Sequence, residues 1–361
     1  MAREWAQGVG RPLKNILDHP YDRMFRQREF LDELKKLGFE TETYEEKTSR
    51  FLLFLGQGYQ DQVENQPRSK AMRSEPRQHH TIVNDAEIAW FEWGAPGEPL
   101  ILLSHATGLH ARCWDGVVSH LDGFNVIATD HRGHGQSSKA PPFGWDQFGA
   151  DLIALIVELD LSDISGVGHS MGGHCMVQAA AAEPKRFRQL TLFDPVILEP
   201  SVYAMAPHRA GKQHPVAKRR DVWDSPQEMI DKFKDRTPFS RWHPDVLRDY
   251  CRYGLVRDGD AFKLACPPDV EAGIYMASMD MNIFDYIRSV EVPVTVIRAE
   301  ARGLEAAAKD FSASPTWPEL ASQFADGHDK YLPEYSHFMP MENPALAASL
   351  IASGASHHQV A

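Results

Sequence analysis

Two kinds of apolar patterning divide this chain. Up to about residue 78 the apolar positions recur at helical spacing in a charged background. Tyr21, Met24, Phe25, Leu31 and Leu34 share one helical face, Gly38 is a stop signal, and a second helix is expected over about 44–56. A polar stretch over 60–78, carrying Pro67 and Pro76, reads as an exposed connection. From His79 the period becomes that of strands. Thr81-Ile82-Val83 and Glu87-Ile88-Ala89-Trp90-Phe91 flank Asn84-Asp85, a hairpin signal. Leu100-Ile101-Leu102-Leu103 is a continuous apolar run, as a strand buried on both faces requires.

Helices and strands then alternate. A strand at Asn125-Val126-Ile127-Ala128 precedes a helix over about 145–159. A strand over 164–167 precedes a small-residue helix over 172–182, and Leu190-Thr191-Leu192-Phe193 follows as the next strand. Such alternation predicts an α/β fold, a mostly parallel sheet flanked by helices on both faces. The alternation breaks over 198–287. That stretch holds helix starts such as Ser225-Pro226-Gln227-Glu228, a capping box with proline at the first helical position. It is also rich in Met and aromatics, among them Trp223, Phe239, Trp242 and Tyr250, and reads as a helical cap over a pocket. Strands resume at Val292-Pro293-Val294-Thr295-Val296-Ile297 and near Asp329-Lys330-Tyr331-Leu332, and a helix over about 344–351 closes the domain. The expected organisation is a helical extension (1–78), an α/β core (79–197 and 288–361) and a helical cap (198–287).

Composition narrows the function classes. With 43% apolar residues in 361, a large core is expected. A formal charge of -12 argues against nucleic acid as a partner, because phosphate binding needs clustered Lys and Arg. Cys113, Cys175, Cys251 and Cys266 form no C-x-x-C pair and no zinc spacing, so free buried thiols and a cytoplasmic location are expected. No secretion signal or membrane span is read; Phe51-Leu52-Leu53-Phe54-Leu55 is far too short to cross a bilayer. His79-His80 and His357-His358 are adjacent pairs rather than ligands spaced on one helix face, and no metal or other cofactor is expected. The extension is read as packing on the core, covering a site entrance, or mediating a homodimer.

The chemistry centres on Gly168-His169-Ser170-Met171-Gly172-Gly173, which follows a strand and opens a helix. That context places Ser170 on a strained turn with its hydroxyl clear of the sheet edge, beside the free N–H groups of a helix N-terminus. A serine nucleophile needs an adjacent base. His337 is the candidate, in Glu334-Tyr335-Ser336-His337-Phe338-Met339-Pro340, after the last strand and before the last helix. His169 is nearer in sequence, but a side chain next to the nucleophile on such a turn is expected to point away.

From about His79 to Ser353 the chain resembles a capped α/β-hydrolase. The resemblance rests on Ser104-His105-Ala106-Thr107-Gly108 after the third strand and Asp130-His131-Arg132-Gly133-His134-Gly135-Gln136-Ser137 after the fourth. It rests also on the run from Gly168 to Gly173 after the fifth and on Ser336-His337-Phe338. It implies an oxyanion hole made by the backbone N–H groups of Met171 and Thr107, with Ala106 where relatives usually have glycine. The family's usual acid position, after the strand that follows the cap, reads Ala299-Glu300-Ala301-Arg302, and a guanidinium cannot accept a hydrogen bond from an imidazole. The superfamily's other acid position, the end of the strand after the nucleophile helix, holds Asp194. Asp194 is therefore the expected acid and Glu300 the reserve. The implied activity is serine hydrolysis of a carboxylic ester or lactone of an apolar small molecule. Carbon–carbon hydrolase or cofactor-free haloperoxidase chemistry on the same residues, or a non-catalytic receptor or scaffold on this fold, are the alternatives.

Overall fold

The computed structural model describes residues 75–204, 214–301 and 312–356, all within the unit Arg73–Ala361. The two helices expected before residue 60, most of the 60–78 connection and Arg302 lie outside the described residues.

The strands in chain order are β1 (Arg77–Val83), β2 (Ala86–Trp93), β3 (Leu100–Ser104), β4 (Asn125–Thr129), β5 (Ile164–His169) and β6 (Phe187–Phe193). After them come β7 (Val222–Trp223), β8 (Leu255–Asp258), β9 (Ala261–Leu264), β10 (Val294–Arg298) and β11 (Gly327–Tyr331). Eight form one sheet in the order β1-β2-β4-β3-β5-β6-β10-β11. The β1–β2 and β2–β4 pairs are antiparallel and the rest are parallel. The β1–β2 hairpin turns through Asn84 and Asp85, whose φ angles of 47° and 60° belong to the left-handed region that Asn and Asp tolerate best after glycine. β1 begins two residues before the strand boundary expected at His79.

The core explains why β3 is apolar at every central position. Leu102 packs on one face of the sheet with Phe148, Met176 and Leu190, while Ile101 and Leu103 pack on the other with Trp114, Val117 and Ile351. The first face is covered by α1 (Trp145–Glu158) and α2 (Met171–Ala182), and the second by α6 (Pro344–Ser356) among others. Burying each such side chain is worth about 1.5–3 kcal/mol, so the sheet centre is the rigid platform on which loops at its C-terminal edge are carried.

Between β6 and β10 the described residues form α3 (Pro226–Phe233), α4 (Pro244–Tyr253) and α5 (Pro268–Met276). The Ser225 hydroxyl accepts the Glu228 N–H at 3.1 Å as an N-cap does, while the Glu228 carboxylate reaches one residue past the N-cap, to the Asp224 N–H at 3.0 Å, rather than to the Ser225 N–H of a full capping box. The segment is not wholly helical. β7, β9 and β8 form a small antiparallel sheet, and β8 turns into β9 through Gly259 at φ 62°. Among the described residues no helix is long and apolar enough to cross a membrane.

Candidate active site

The parallel register brings two of the singled-out residues side by side. His169 pairs with Phe193 across β5 and β6, so Ser170 and Asp194 each stand one step past the end of adjacent strands. Both take backbone conformations that L-residues rarely adopt, with φ 57° at Ser170 and 44° at Asp194. Each such position costs on the order of 1–3 kcal/mol and persists only where surrounding contacts dictate it. Those contacts are visible: the Ser170 N–H donates to Phe193 O at 3.0 Å, and the Asp194 N–H to Ile297 O at 2.7 Å. The glycines around Ser170 are required by close approach. A Cβ on Gly172 would lie 2.2 Å from Ser104 O, and one on Gly168 would lie 2.5 Å from the Gly173 nitrogen.

His337 is delivered by the loop between β11 and α6. Its Nδ1 lies 2.6 Å from Asp194 Oδ2, and its Nε2 lies 3.0 Å from Ser170 Oγ. A carboxylate only accepts, so Nδ1 carries the proton and the Nε2 lone pair faces the serine hydroxyl. The three side chains are all but buried, at 6% exposure for Ser170, 8% for His337 and 2% for Asp194. Glu300 is exposed, and its backbone N–H and C=O are used by Tyr335 O and the Ser314 N–H.

Thr107 and Met171 meet beside this group. The Thr107 hydroxyl donates to Met171 Sδ at 3.3 Å. Among the described residues, neither the Thr107 N–H nor the Met171 N–H has an acceptor. The loop after β3 is held from behind by histidines. His105 Nδ1–H donates to Ala106 O at 2.8 Å, while its Nε2 accepts the His131 N–H at 3.0 Å. His134 Nε2 accepts the Gly108 N–H at 3.1 Å, and its Nδ1–H donates to Arg132 O at 3.1 Å. Each ring thus accepts from one backbone N–H and donates to one carbonyl, which only the neutral form can do. Burial agrees with that: it lowers His105 to about 4 and pushes His131 and His134 well below the ordinary imidazole range.

Sequence reasoning missed several neighbours. His169 does turn away from Ser170, but it is not idle. Its Nε2–H donates to the His337 backbone carbonyl at 2.8 Å, its ring lies 5.0 Å from the His337 ring, and burial followed by the nearby His337 lowers it to about 3. Ser314 and Thr316 were not singled out by any motif, yet their hydroxyls surround Asp194 Oδ1. The aromatics of the 198–287 segment largely pack on one another. The buried Trp242 and Tyr250, with the half-buried Phe239 against them, belong to a cluster that also holds Ala106 and Leu109 of the β3 loop, and Trp242 meets Phe338 beside His337.

A family model described as alpha/beta hydrolase fold matches residues 99–232. The chain is 28% identical over 240 residues to a bifunctional esterase/perhydrolase of Acinetobacter calcoaceticus, covering 61% of this chain and 80% of that protein. It is 32% identical over 108 residues to a 3-oxoadipate enol-lactonase of Acinetobacter baylyi, covering 29% of this chain but only 40% of the lactonase. It spans 34% to 44% of the length of several other curated relatives it matches. Among solved structures, E-2-(acetamidomethylene)succinate hydrolase superposes with a TM-score of 0.61 at 21% identity, covering 77% of this chain and 98% of that one.

Proposed function

We propose that this chain, which belongs to the α/β-hydrolase superfamily, is a serine hydrolase that cleaves a carboxylic ester or lactone of an apolar small molecule. The observation that carries the reading is the unbroken hydrogen-bond line from Asp194 Oδ2 through His337 to Ser170 Oγ, with contacts of 2.6 and 3.0 Å. Ser170 Oγ attacks the substrate carbonyl carbon as His337 Nε2 takes its proton, and Asp194 stabilises the imidazolium. The Thr107 and Met171 N–H groups, free of other acceptors among the described residues, receive the negative oxygen of the tetrahedral intermediate. The intermediate collapses as His337 returns the proton to the leaving oxygen, leaving an acyl group on Ser170. Water, deprotonated by the same nitrogen, then releases the acid and regenerates the serine.

The 198–287 segment serves as the cap over this site. Its aromatics build the cap's own core, which packs against the buried Ala106 and Leu109 of the β3 loop and Phe338 beside His337. A cap this rich in apolar side chains suits an apolar rather than a polar acyl or alcohol portion. The relatives named for esterase and enol-lactonase activity support both ester and lactone cleavage. The four cysteines, free and buried, fit a cytoplasmic setting.

The test is a panel of p-nitrophenyl esters and lactones assayed with wild-type protein and Ser170→Ala. Turnover that rises with acyl length over short chains and vanishes in Ser170→Ala is expected. Turnover equal in the two proteins would refute the assignment.

A further inference from the structure

Asp194 Oδ1 is held by three donors of the protein itself. Ser314 Oγ donates to it, the Ala299 N–H donates at 3.2 Å, and Thr316 Oγ1 lies 3.0 Å away. The donors are themselves anchored. The Ser314 N–H bonds Glu300 O at 2.8 Å, and Ser314 forms an isolated parallel bridge with Ala301, just past the end of β10. Ser314 Oγ also accepts the Thr316 N–H at 3.2 Å, which leaves its single proton no better acceptor than the carboxylate. Ser314 and Thr316 are buried, at 9% and 6% exposure, so no bulk water competes for Oδ1.

We propose that Ser314 is a positioning residue for the hydrolytic site, with Thr316 as its support: the pair fixes Asp194 Oδ1 so that Oδ2 alone faces His337. The proposal rests on the serine-hydrolase reading of Ser170, His337 and Asp194. It has a physical rationale in the fold. Asp194 stands at a left-handed backbone position just past the end of β6, and a carboxylate there can rotate about its Cβ–Cγ bond. Donors on one oxygen stop that rotation and keep the other aimed at the imidazole. The two hydroxyls are not equivalent. Thr316 Oγ1 also lies 2.8 Å from Pro195 O, which only accepts, so its one proton is shared between that carbonyl and the carboxylate. Ser314 has no such competitor among the described residues and carries the larger share.

The experiment measures the second-order rate of labelling by a fluorophosphonate across pH, a readout of serine reactivity that needs no knowledge of the substrate. It uses full-length wild type, Ser314→Ala, Thr316→Val, Thr316→Ser, Asp194→Asn, and Ser314→Ala combined with Asp194→Asn. Ser314→Ala is expected to slow labelling by about 10- to 100-fold, the worth of one hydrogen bond to a charged group, and to move the acid limb of the profile to higher pH. Thr316→Val is expected to cost less than Ser314→Ala, and Thr316→Ser to restore the wild-type rate. In the Asp194→Asn background Ser314→Ala should add no further loss, because Ser314 there holds only an amide whose NH2 faces His337 and no carboxylate is left to aim. A Ser314→Ala rate within twofold of wild type with an unmoved acid limb overturns the proposal, as does a full extra loss in the double variant. A wild type that resists labelling overturns the hydrolase reading itself, and this role with it.

Discussion

Asp194→Asn isolates the role of the carboxylate, and the structure says in advance how the new amide will sit. Ser314 Oγ–H and the Ala299 N–H both donate to the Oδ1 position, so the amide oxygen takes that place. The NH2 group is left facing His337 Nδ1, at the 2.6 Å position now held by Oδ2. Two donors cannot share a hydrogen bond, so the imidazole must move its proton to Nε2. In that tautomer Nε2 presents N–H to Ser170 Oγ and cannot accept the serine proton. A triad with the wrong tautomer loses about ten-thousand-fold in kcat, or about 5.5 kcal/mol of transition-state stabilisation. Glu300, the alternative acid, is exposed. Glu300→Gln should therefore stay within about twofold of wild type, as neutral surface changes do. The assay is kcat/KM on a short-chain p-nitrophenyl ester, with folding checked by circular dichroism. If Asp194→Asn retains a tenth of the activity, or if Glu300→Gln loses more than Asp194→Asn, the tautomer argument fails.

Thr107→Val removes the hydroxyl that bonds Met171 Sδ but keeps the backbone N–H. Activity on the same ester should fall less than about tenfold, and a loss of a hundredfold or more, the worth of an oxyanion donor, would mean that the side chain is that donor. Gly172→Ala would press a methyl group against Ser104 O, 2.2 Å from its Cβ, so melting should fall by the equivalent of about 1–3 kcal/mol; an unchanged melting temperature would contradict that crowding. The pH dependence of stability has a sign fixed by buried histidines. Burial lowers His105 to about 4, lowers His169 and His174 to about 3, and depresses His110, His131 and His134 as well. The unfolded chain takes up these protons below about pH 6.5 while the folded one resists, so stability is full above that pH and lost as pH falls. Asp249 and Asp115, raised by burial to about 7 and about 6, act in the opposite sense but are outnumbered. The melting temperature measured by scanning calorimetry should drop steadily from pH 6.5 to pH 4, and a flat or rising curve would contradict the neutral-histidine account.

The serine turn was legible because its geometry forces composition. Gly168 and Gly172 have backbone where a Cβ would lie, so the need for close approach is written in the residue types themselves. The apolar run of β3 was legible for the same kind of reason: both faces of that strand meet core. Asp194 was legible through the resemblance, whose second acid position it fills, and the β5–β6 register sets it one step past the strand end beside Ser170. Ser314 and Thr316 were not legible. Small hydroxyls are common in loops, and their partner lies more than a hundred positions earlier, brought near only by the sheet. The histidine supports were hidden likewise, because His105 and His134 bond backbone groups 26 positions away, and a buried neutral imidazole has no local signature. The small β7-β9-β8 sheet did have a signal, Asp258-Gly259 between alternating residues, but its strands of two to four residues were overshadowed by the aromatic density of the segment.

The central claim is that Ser170 is the nucleophile. Intact-mass and peptide mapping after exposure to a fluorophosphonate tests it most directly. The account predicts a single adduct on Ser170, formed by wild type and absent from Ser170→Ala. An adduct on another residue, or a wild type that remains unmodified while its substrate is being turned over, would contradict it.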